Sequence, residues 1–115
     1  MLVINDLGAR DGLIYFEVPF TCFDVVATWD KNQNYWLATD NGLAVASWLS
    51  AYDQWPKNWQ TIIDVCNVNF CQEVFYTFGK QADEAARRLI IALLYLNQAR
   101  QYSDTLSKNL IAPLN

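Results

Sequence analysis

The most informative absence in this 115-residue sequence is histidine, because the chain contains none. Without histidine there is no Ser-His-Asp or Cys-His catalytic arrangement and no histidine metal ligand. Three cysteines cannot complete a four-ligand structural zinc site without help from an Asp or Glu. Four glycines are also too few to suggest a glycine-rich phosphate loop. We therefore predict no catalytic residues, no cofactor and no metal, and a function other than catalysis.

Long apolar runs and a basic leader are missing as well. The longest apolar run, residues 89–96, has eight residues, whereas a membrane-spanning helix needs about 20. The first six residues contain no basic side chain before the apolar ones, and no small-residue cleavage pattern follows them. These features predict a soluble protein of the cytoplasm that does not act on a membrane.

The composition that remains is rich in hydrophobic residues (53%) and aromatic residues (15%), which is typical of a globular domain. At this length we expect a single domain over residues 1–115, with a tail from about residue 103 that is frayed or forms a short helix. The net charge is −4 and is uneven, because residues 1–56 carry seven acids against Arg10 and Lys31. Such an acidic half disfavours nucleic acid as a direct partner and favours a protein with a basic surface.

The first 40 residues predict four strands. Residues 2–4 and 13–18 are rich in β-forming side chains and are separated by turn residues at 8–12, which favours a strand pair. Residues 23–30 alternate between Phe23, Val25, Ala27 and Trp29 and the intervening positions, the period of a half-buried strand. A polar turn at 31–34 then leads into a partner strand at 35–38.

Two helices are predicted further along the chain. Thr39, Asp40 and Asn41 are candidate N-caps for the first helix. This helix ends near Trp55, because Pro56 disfavours helical geometry in the residue before it. Its apolar face repeats at helical spacing in Val45, Trp48, Leu49 and Tyr52. The second helix begins near Gln81, with acids in its first turn where the helix dipole favours them.

Residues 59–66 and 70–78 predict a hairpin between the helices, because both are rich in β-branched and aromatic residues and Asn67-Val68-Asn69 lies between them. A four-residue loop would place Asp64 opposite Glu73, and directly opposed like charges are destabilising. A three-residue loop avoids this contact and is the register we prefer.

Cys66 and Cys71 would flank this hairpin, with four residues between them. Three cysteines in a chain expected in the cytoplasm do not suggest a disulfide framework. We interpret both as buried or half-buried structural thiols, not as a catalytic or metal-binding pair.

These elements predict an α+β fold. Because runs of strands are separated from helices, we expect a single two-layer domain in which an antiparallel sheet carries two main helices on one face, in the order β-β-β-β-α-β-β-α. The segment 89–96 is apolar all round, so a helix there needs cover on two sides. The sheet would cover one side, and the first helix, the tail or a second subunit the other. A homodimer is therefore an expected arrangement.

Residues 36–98 read helix, strand, strand, helix, with Thr39-Asp40 before an Ala- and Trp-bearing helix and the sequence Ala-Asp-Glu-Ala-Ala-Arg-Arg-Leu opening the last one. This order resembles the small phage proteins described as alpha-beta-beta-alpha (ABA) sandwich domains. The resemblance implies a phage or prophage origin and a small protein that binds and alters host machinery. It implies no catalytic chemistry.

The five tryptophans all lie between residues 29 and 59, in or next to the acidic half. Aromatic anchors ringed by charge are typical of protein interfaces. We therefore predict an inhibitor or modulator of a host or defence protein; the alternatives are a toxin-immunity protein and a homo-oligomeric phage structural or accessory protein. The predicted partner-binding residues are Asp24, Trp29, Asp30, Trp36, Asp40, Trp48 and Asp53. The competing interpretation is that the tryptophans belong to the core and the acids are simply solvated.

Overall fold

An antiparallel sheet backed by helices forms the fold. The computed structural model describes residues 5–10, 12–19, 21, 23–47 and 56–111. The strands in that part of the chain are β1 (Asn5–Arg10), β2 (Leu13–Glu17), β3 (Asp24–Asp30), β4 (Tyr35–Thr39), β5 (Asn69–Cys71) and β6 (Val74–Gly79). The helices are α1 (Leu43–Ser47), α2 (Trp59–Val65) and α3 (Ala82–Ile111).

The sheet has the strand order β1-β2-β3-β4-β6-β5, and every neighbouring pair is antiparallel. The first four strands form a meander, and β4 then pairs with β6. α3 packs against β3, β4 and β6, while α2 contacts α3 and β5. The predicted α+β class, an antiparallel sheet with helices on one face, is confirmed.

The core lies between the sheet and α3. The alternation in β3 places Val25 and Ala27 on the buried face, where Ala27 is directly opposite Ala38 of β4. α3 meets these small residues with Leu89 and Leu93, both fully buried. Burying a side chain of that size contributes about 1.5–3 kcal/mol, so the α3–sheet interface is a main source of stability.

Most side chains of the apolar segment 89–96 are buried by other residues of the same chain. Five of its eight residues are buried; Ile91 and Leu94 are half-buried and Tyr95 is exposed. α3 continues to Ile111, so residues 103–111, which were expected to be frayed or to form a short helix, are the end of this long helix. No helix in the described part of the chain is both long enough and apolar enough to cross a membrane.

Residues 59–65 form helix α2, so the first strand of the predicted hairpin, residues 59–66, is wrong. Trp59, Ile62, Ile63 and Cys66 recur at helical spacing and are buried or half-buried, whereas the residues between them are exposed. The β-branched residues at 61–63 favour a strand only weakly, and packing of this face against the core overrides that preference.

The end of α2 explains the asparagine that suggested a hairpin turn. Asn67 has φ +62°, the left-handed conformation common just after a helix. Its N–H donates to the carbonyl of Asp64 at 3.1 Å, and the N–H of Val68 donates to the carbonyl of Ile63 at 2.8 Å. These two bonds are those of a Schellman motif, which stops the helix and turns the chain towards β5.

The actual hairpin is β5–β6, with a two-residue turn at Gln72 and Glu73. Both have positive φ, +51° and +67°, as a type I′ turn requires. Cys71 is directly opposite Val74, so neither predicted register of a loop at 67–69 occurs. Cys66 instead ends α2, and both thiols are free.

Two further boundaries differ from the sequence prediction. β1 runs through Gly8 to Arg10, which was expected to be a turn, and a register shift between Asp6 and Gly8 bends it. α1 occupies residues 43–47 of the predicted first helix. Its expected continuation to Trp55 lies outside the described residues.

Candidate partner-binding surface

The sheet face that points away from α2 and α3 is called here the open face. It is formed by alternate residues of the central strands, paired in rows across the sheet. Thr28, Leu37 and Phe78 form one such row, and Val26, Thr39 and Tyr76 form the next. The remaining members are Leu13, Tyr15, Glu17, Asp24, Asp30, Tyr35 and Val74.

Aromatic rings cluster on the open face around Phe78. The Tyr76 and Phe78 ring centroids are 5.7 Å apart at 82°, an edge-to-face contact. Tyr35 and Phe78 are 6.4 Å apart at 57°. Phe78 is 40% exposed and Tyr35 is 43% exposed. Large aromatic side chains that stay this exposed are characteristic of protein interfaces.

A shallow groove of about 480 Å³ crosses this cluster. Leu37, Thr39, Tyr76 and Phe78 contribute to its walls, with Asp30 from β3. Cys71 and the β5–β6 turn complete the lining. The groove combines apolar surface with a single carboxylate, the pattern expected of a binding surface with a defined charge preference.

The acids of the open face are held by local structure. Asp30 Oδ1 accepts hydrogen bonds from the N–H groups of Asn32 (2.9 Å) and Gln33 (3.2 Å), which fix the carboxylate at the end of β3. Asp24 lies directly opposite Glu17 in the β2–β3 pair. The strands β2 to β6 contain no Lys or Arg. The central open face is therefore negative.

The structure separates the predicted tryptophans from the predicted acids. Trp29 and Trp36 are directly opposite each other on the helix-bearing face, with ring centroids 5.8 Å apart at 64°. Trp29 is 44% exposed, and Trp36 packs against the core. Asp24 and Asp30 are on the open face, because neighbouring residues of a strand point to opposite sides.

Asp40 is fully buried, so its side chain offers no surface to a partner. Its Oδ1 accepts hydrogen bonds from the N–H groups of Gly42 and Phe75, and its Oδ2 from that of Ala44, each at 3.0 Å. Burial raises the pKa of this carboxyl group, and the backbone hydrogen bonds oppose the rise. The predicted N-cap role of Asp40 fits this geometry, whereas a partner-binding role does not.

Sequence reasoning missed the aromatic residues of the open face. Tyr35, Tyr76 and Phe78 are not among the predicted partner-binding residues, whose aromatic members are all tryptophans. The alternation of side chains along a strand could have identified Tyr35. In the β3–β4 hairpin Tyr35 lies opposite Asp30 and therefore on the same face as Asp30, while the neighbouring Trp29 lies on the other face. The predicted site residues Trp48 and Asp53 lie outside the described residues.

Comparisons with known proteins add no relative: no family model, no curated protein and no solved structure matches this chain. The resemblance to phage proteins therefore stays a prediction. Within the described residues, no group of three or more Cys, Asp or Glu side chains is placed to hold a metal ion.

Proposed function

We propose that this chain is a small protein-binding module that holds a basic protein partner on its open face. The observation that carries the proposal is the combination of exposed Tyr35 and Phe78 with Asp30 on strands that contain no Lys or Arg. The aromatic rings supply apolar contact area, while the carboxylates select the charge of the partner.

Charge and aromatic contact would have separate effects on binding. Asp24 and Asp30 create a field that speeds the approach of a positive surface, so they govern the association rate and its salt dependence. Phe78, which is exposed in the free chain, and the exposed part of Tyr76 would be covered in the complex, so they govern the dissociation rate. The module would inhibit or modulate its partner by covering the partner's basic surface, the mode that the resemblance to phage proteins implies.

The test is capture from an extract of cells that carry the gene, with variants that separate the two faces of the sheet. Phe78→Ser and Asp30→Lys change the open face. Asp83→Lys makes the same charge reversal on the first turn of α3, where Asp83 is exposed. Trp29→Ser removes an aromatic side chain of similar exposure from the opposite face. Circular dichroism establishes that each variant is folded.

We expect a protein that the wild type and both control variants retain and that both open-face variants lose. Light scattering on the purified chain shows whether a second copy occupies the open face instead, since the monomer mass is 13.2 kDa. A protein held equally by all variants, or a dimer dissociated by Phe78→Ser, would contradict the proposal.

A further inference from the structure

The groove on the open face contains one carboxylate beside a set of aromatic rings. We infer that this groove is a subsite for an arginine side chain of the partner, with the guanidinium between Asp30 and the ring of Phe78 and the aliphatic stem across Leu37. The inference rests on the proposed function, because the arginine belongs to the partner that the open face binds.

The rings suit a planar cation. Tyr76 and Phe78 meet edge to face, so their ring planes are nearly perpendicular and line the groove with differently oriented aromatic surface. A guanidinium stacks on such rings through its flat face and is attracted by their π-electrons. The groove volume, about 480 Å³, lies within the usual range for a site that accepts a small group.

Asp30 supplies the fixed negative charge. Two backbone N–H groups, of Asn32 and Gln33, hold its Oδ1, so the carboxylate is oriented before any partner arrives. No hydrogen bond within the described residues uses Oδ2. That oxygen is the acceptor for a guanidinium N–H, and a charge-assisted hydrogen bond is stronger than a neutral one.

Arginine fits this site better than lysine for two reasons. A lysine ammonium is a compact, strongly hydrated charge that does not stack, so it gains less from Tyr76 and Phe78. The guanidinium also presents several N–H donors in a planar fork, so one can reach Oδ2 of Asp30 while the flat face of the group lies against a ring. The β5–β6 turn contains no cation at Gln72 or Glu73, and the basic residue closest to Asp30 in sequence is Lys31.

The experiment uses three peptides of the form acetyl-Gly-Ser-X-Ser-Gly-amide, in which X is arginine, lysine or citrulline. Citrulline has nearly the shape of arginine without its charge. Each peptide is titrated into the ¹⁵N-labelled full chain and followed by amide chemical shifts. Binding to a single exposed charge and ring pair is weak, so dissociation constants in the millimolar range are expected.

We expect the arginine peptide to shift the amides of Asp30, Leu37 and Phe78, and to bind about threefold to tenfold more tightly than the other two peptides. Asp30→Asn should remove the advantage over the citrulline peptide, because asparagine keeps an Oδ1 acceptor for the turn but loses the charge. The advantage over the lysine peptide rests on the rings and should be lost in Phe78→Ser. Asp64→Asn, at an exposed position of α2, is the matched control and should leave both advantages of the arginine peptide intact.

Equal binding of all three peptides, shifts scattered away from the groove, or an advantage over citrulline that survives Asp30→Asn would overturn the arginine subsite. The proposed function has a different failure, the absence of any protein lost specifically by open-face variants. If a partner is captured in that way while the peptides show no arginine preference, the proposed function stands and the subsite is wrong.

Discussion

The Oδ1 atom of Asp40 accepts a hydrogen bond from the backbone N–H of Phe75, a residue 35 positions further along the chain, at 3.0 Å. The backbone reinforces the contact, because the N–H of Asp40 donates to the carbonyl of Phe75 at 3.2 Å. The same carboxylate caps the start of α1. One side chain therefore joins the end of β4, α1 and β6.

Replacing Asp40 should destabilise the fold strongly. Asp40→Ala leaves the N–H groups of Gly42, Ala44 and Phe75 without their acceptor, and we expect a loss of about 3 kcal/mol. Asp40→Asn keeps one oxygen and should cost about 1–2 kcal/mol. Urea unfolding checks both values. Asp64→Ala, at an exposed position of α2, is the control and should change stability by less than about 0.5 kcal/mol. An effect there as large as that of Asp40→Ala would refute the stabilising role of the Asp40 hydrogen bonds.

Stability should also depend on the protonation of Asp40. Burial raises its pKa in the folded chain above the ordinary value of 3.8, so the folded state holds this proton more tightly than the unfolded state does. The resulting contribution is fully present below the unfolded pKa and is lost as pH rises through the folded pKa. The difference in unfolding free energy between wild type and Asp40→Asn should therefore fall as pH rises from below 3.8 through the raised pKa of the folded state. A difference that rises over this range would show that the hydrogen bonds outweigh burial.

Gly79 should resist substitution because α3 passes close to it. A Cβ at this position would lie 3.1 Å from both the Cβ and the backbone nitrogen of Ala85. The buried Thr77 hydroxyl fixes this approach by donating to the Ala85 carbonyl at 2.7 Å. We expect Gly79→Ala to lower the unfolding free energy by about 1–3 kcal/mol. Adding Ala85→Gly should recover part of that loss in a double-mutant cycle, and strictly additive effects would exclude the contact as its cause.

The β5–β6 turn should be improved by glycine. Glu73 has φ +67°, a conformation that costs an ordinary residue about 1 kcal/mol and costs glycine little. Glu73→Gly should therefore raise the unfolding free energy by about 0.5–1 kcal/mol, which thermal unfolding would detect as a higher midpoint. Glu73→Gln is the control, since it removes the charge and keeps the strained backbone. An equal gain from both variants would assign the effect to charge.

The two described thiols should differ in reactivity. Cys71 is exposed, whereas Cys66 is half-buried and burial raises its pKa. Because the thiolate is the reactive form, Cys71 should be alkylated by iodoacetamide faster than Cys66 at pH 7.5. Mass spectrometry of a Cys22→Ser variant measures the two rates separately. Faster labelling of Cys66 would mean that α2 opens readily at its end.

The sequence predicted β3 and β4 well. The alternation in residues 23–30 is typical of a half-buried strand, the polar turn that follows predicts β4 as its partner, and Asp40 combines with the following residues into a recognisable cap. α2 was missed because Thr61, Ile62 and Ile63 favour strands locally, while the tertiary contacts of Ile63 decide the structure. A seven-residue helix also offers few turns in which to recognise its period.

The candidate surface was predictable in its charge and not in its aromatic residues. Asp24 and Asp30 were identified from the acidic first half, and strand parity separates them from Trp29. Tyr76 and Phe78 reach the same face only because β6 pairs with β4, a pairing between strands far apart in sequence. Local patterns do not reveal such a pairing, so the groove could not be assembled from sequence alone.

The β4–β6 pairing has a consequence for how the chain assembles. The meander β1–β4 and the hairpin β5–β6 each form from contacts close in sequence, whereas joining them closes a loop whose ends, Asp40 and Phe75, are 35 positions apart. Until that step, β4 is an unprotected edge with free backbone donors and acceptors. The hairpin of a second molecule can dock there as well as the chain's own. Exchange of the β5–β6 hairpin between two molecules at the β4–β6 pairing is therefore the misassembly that the topology most readily permits.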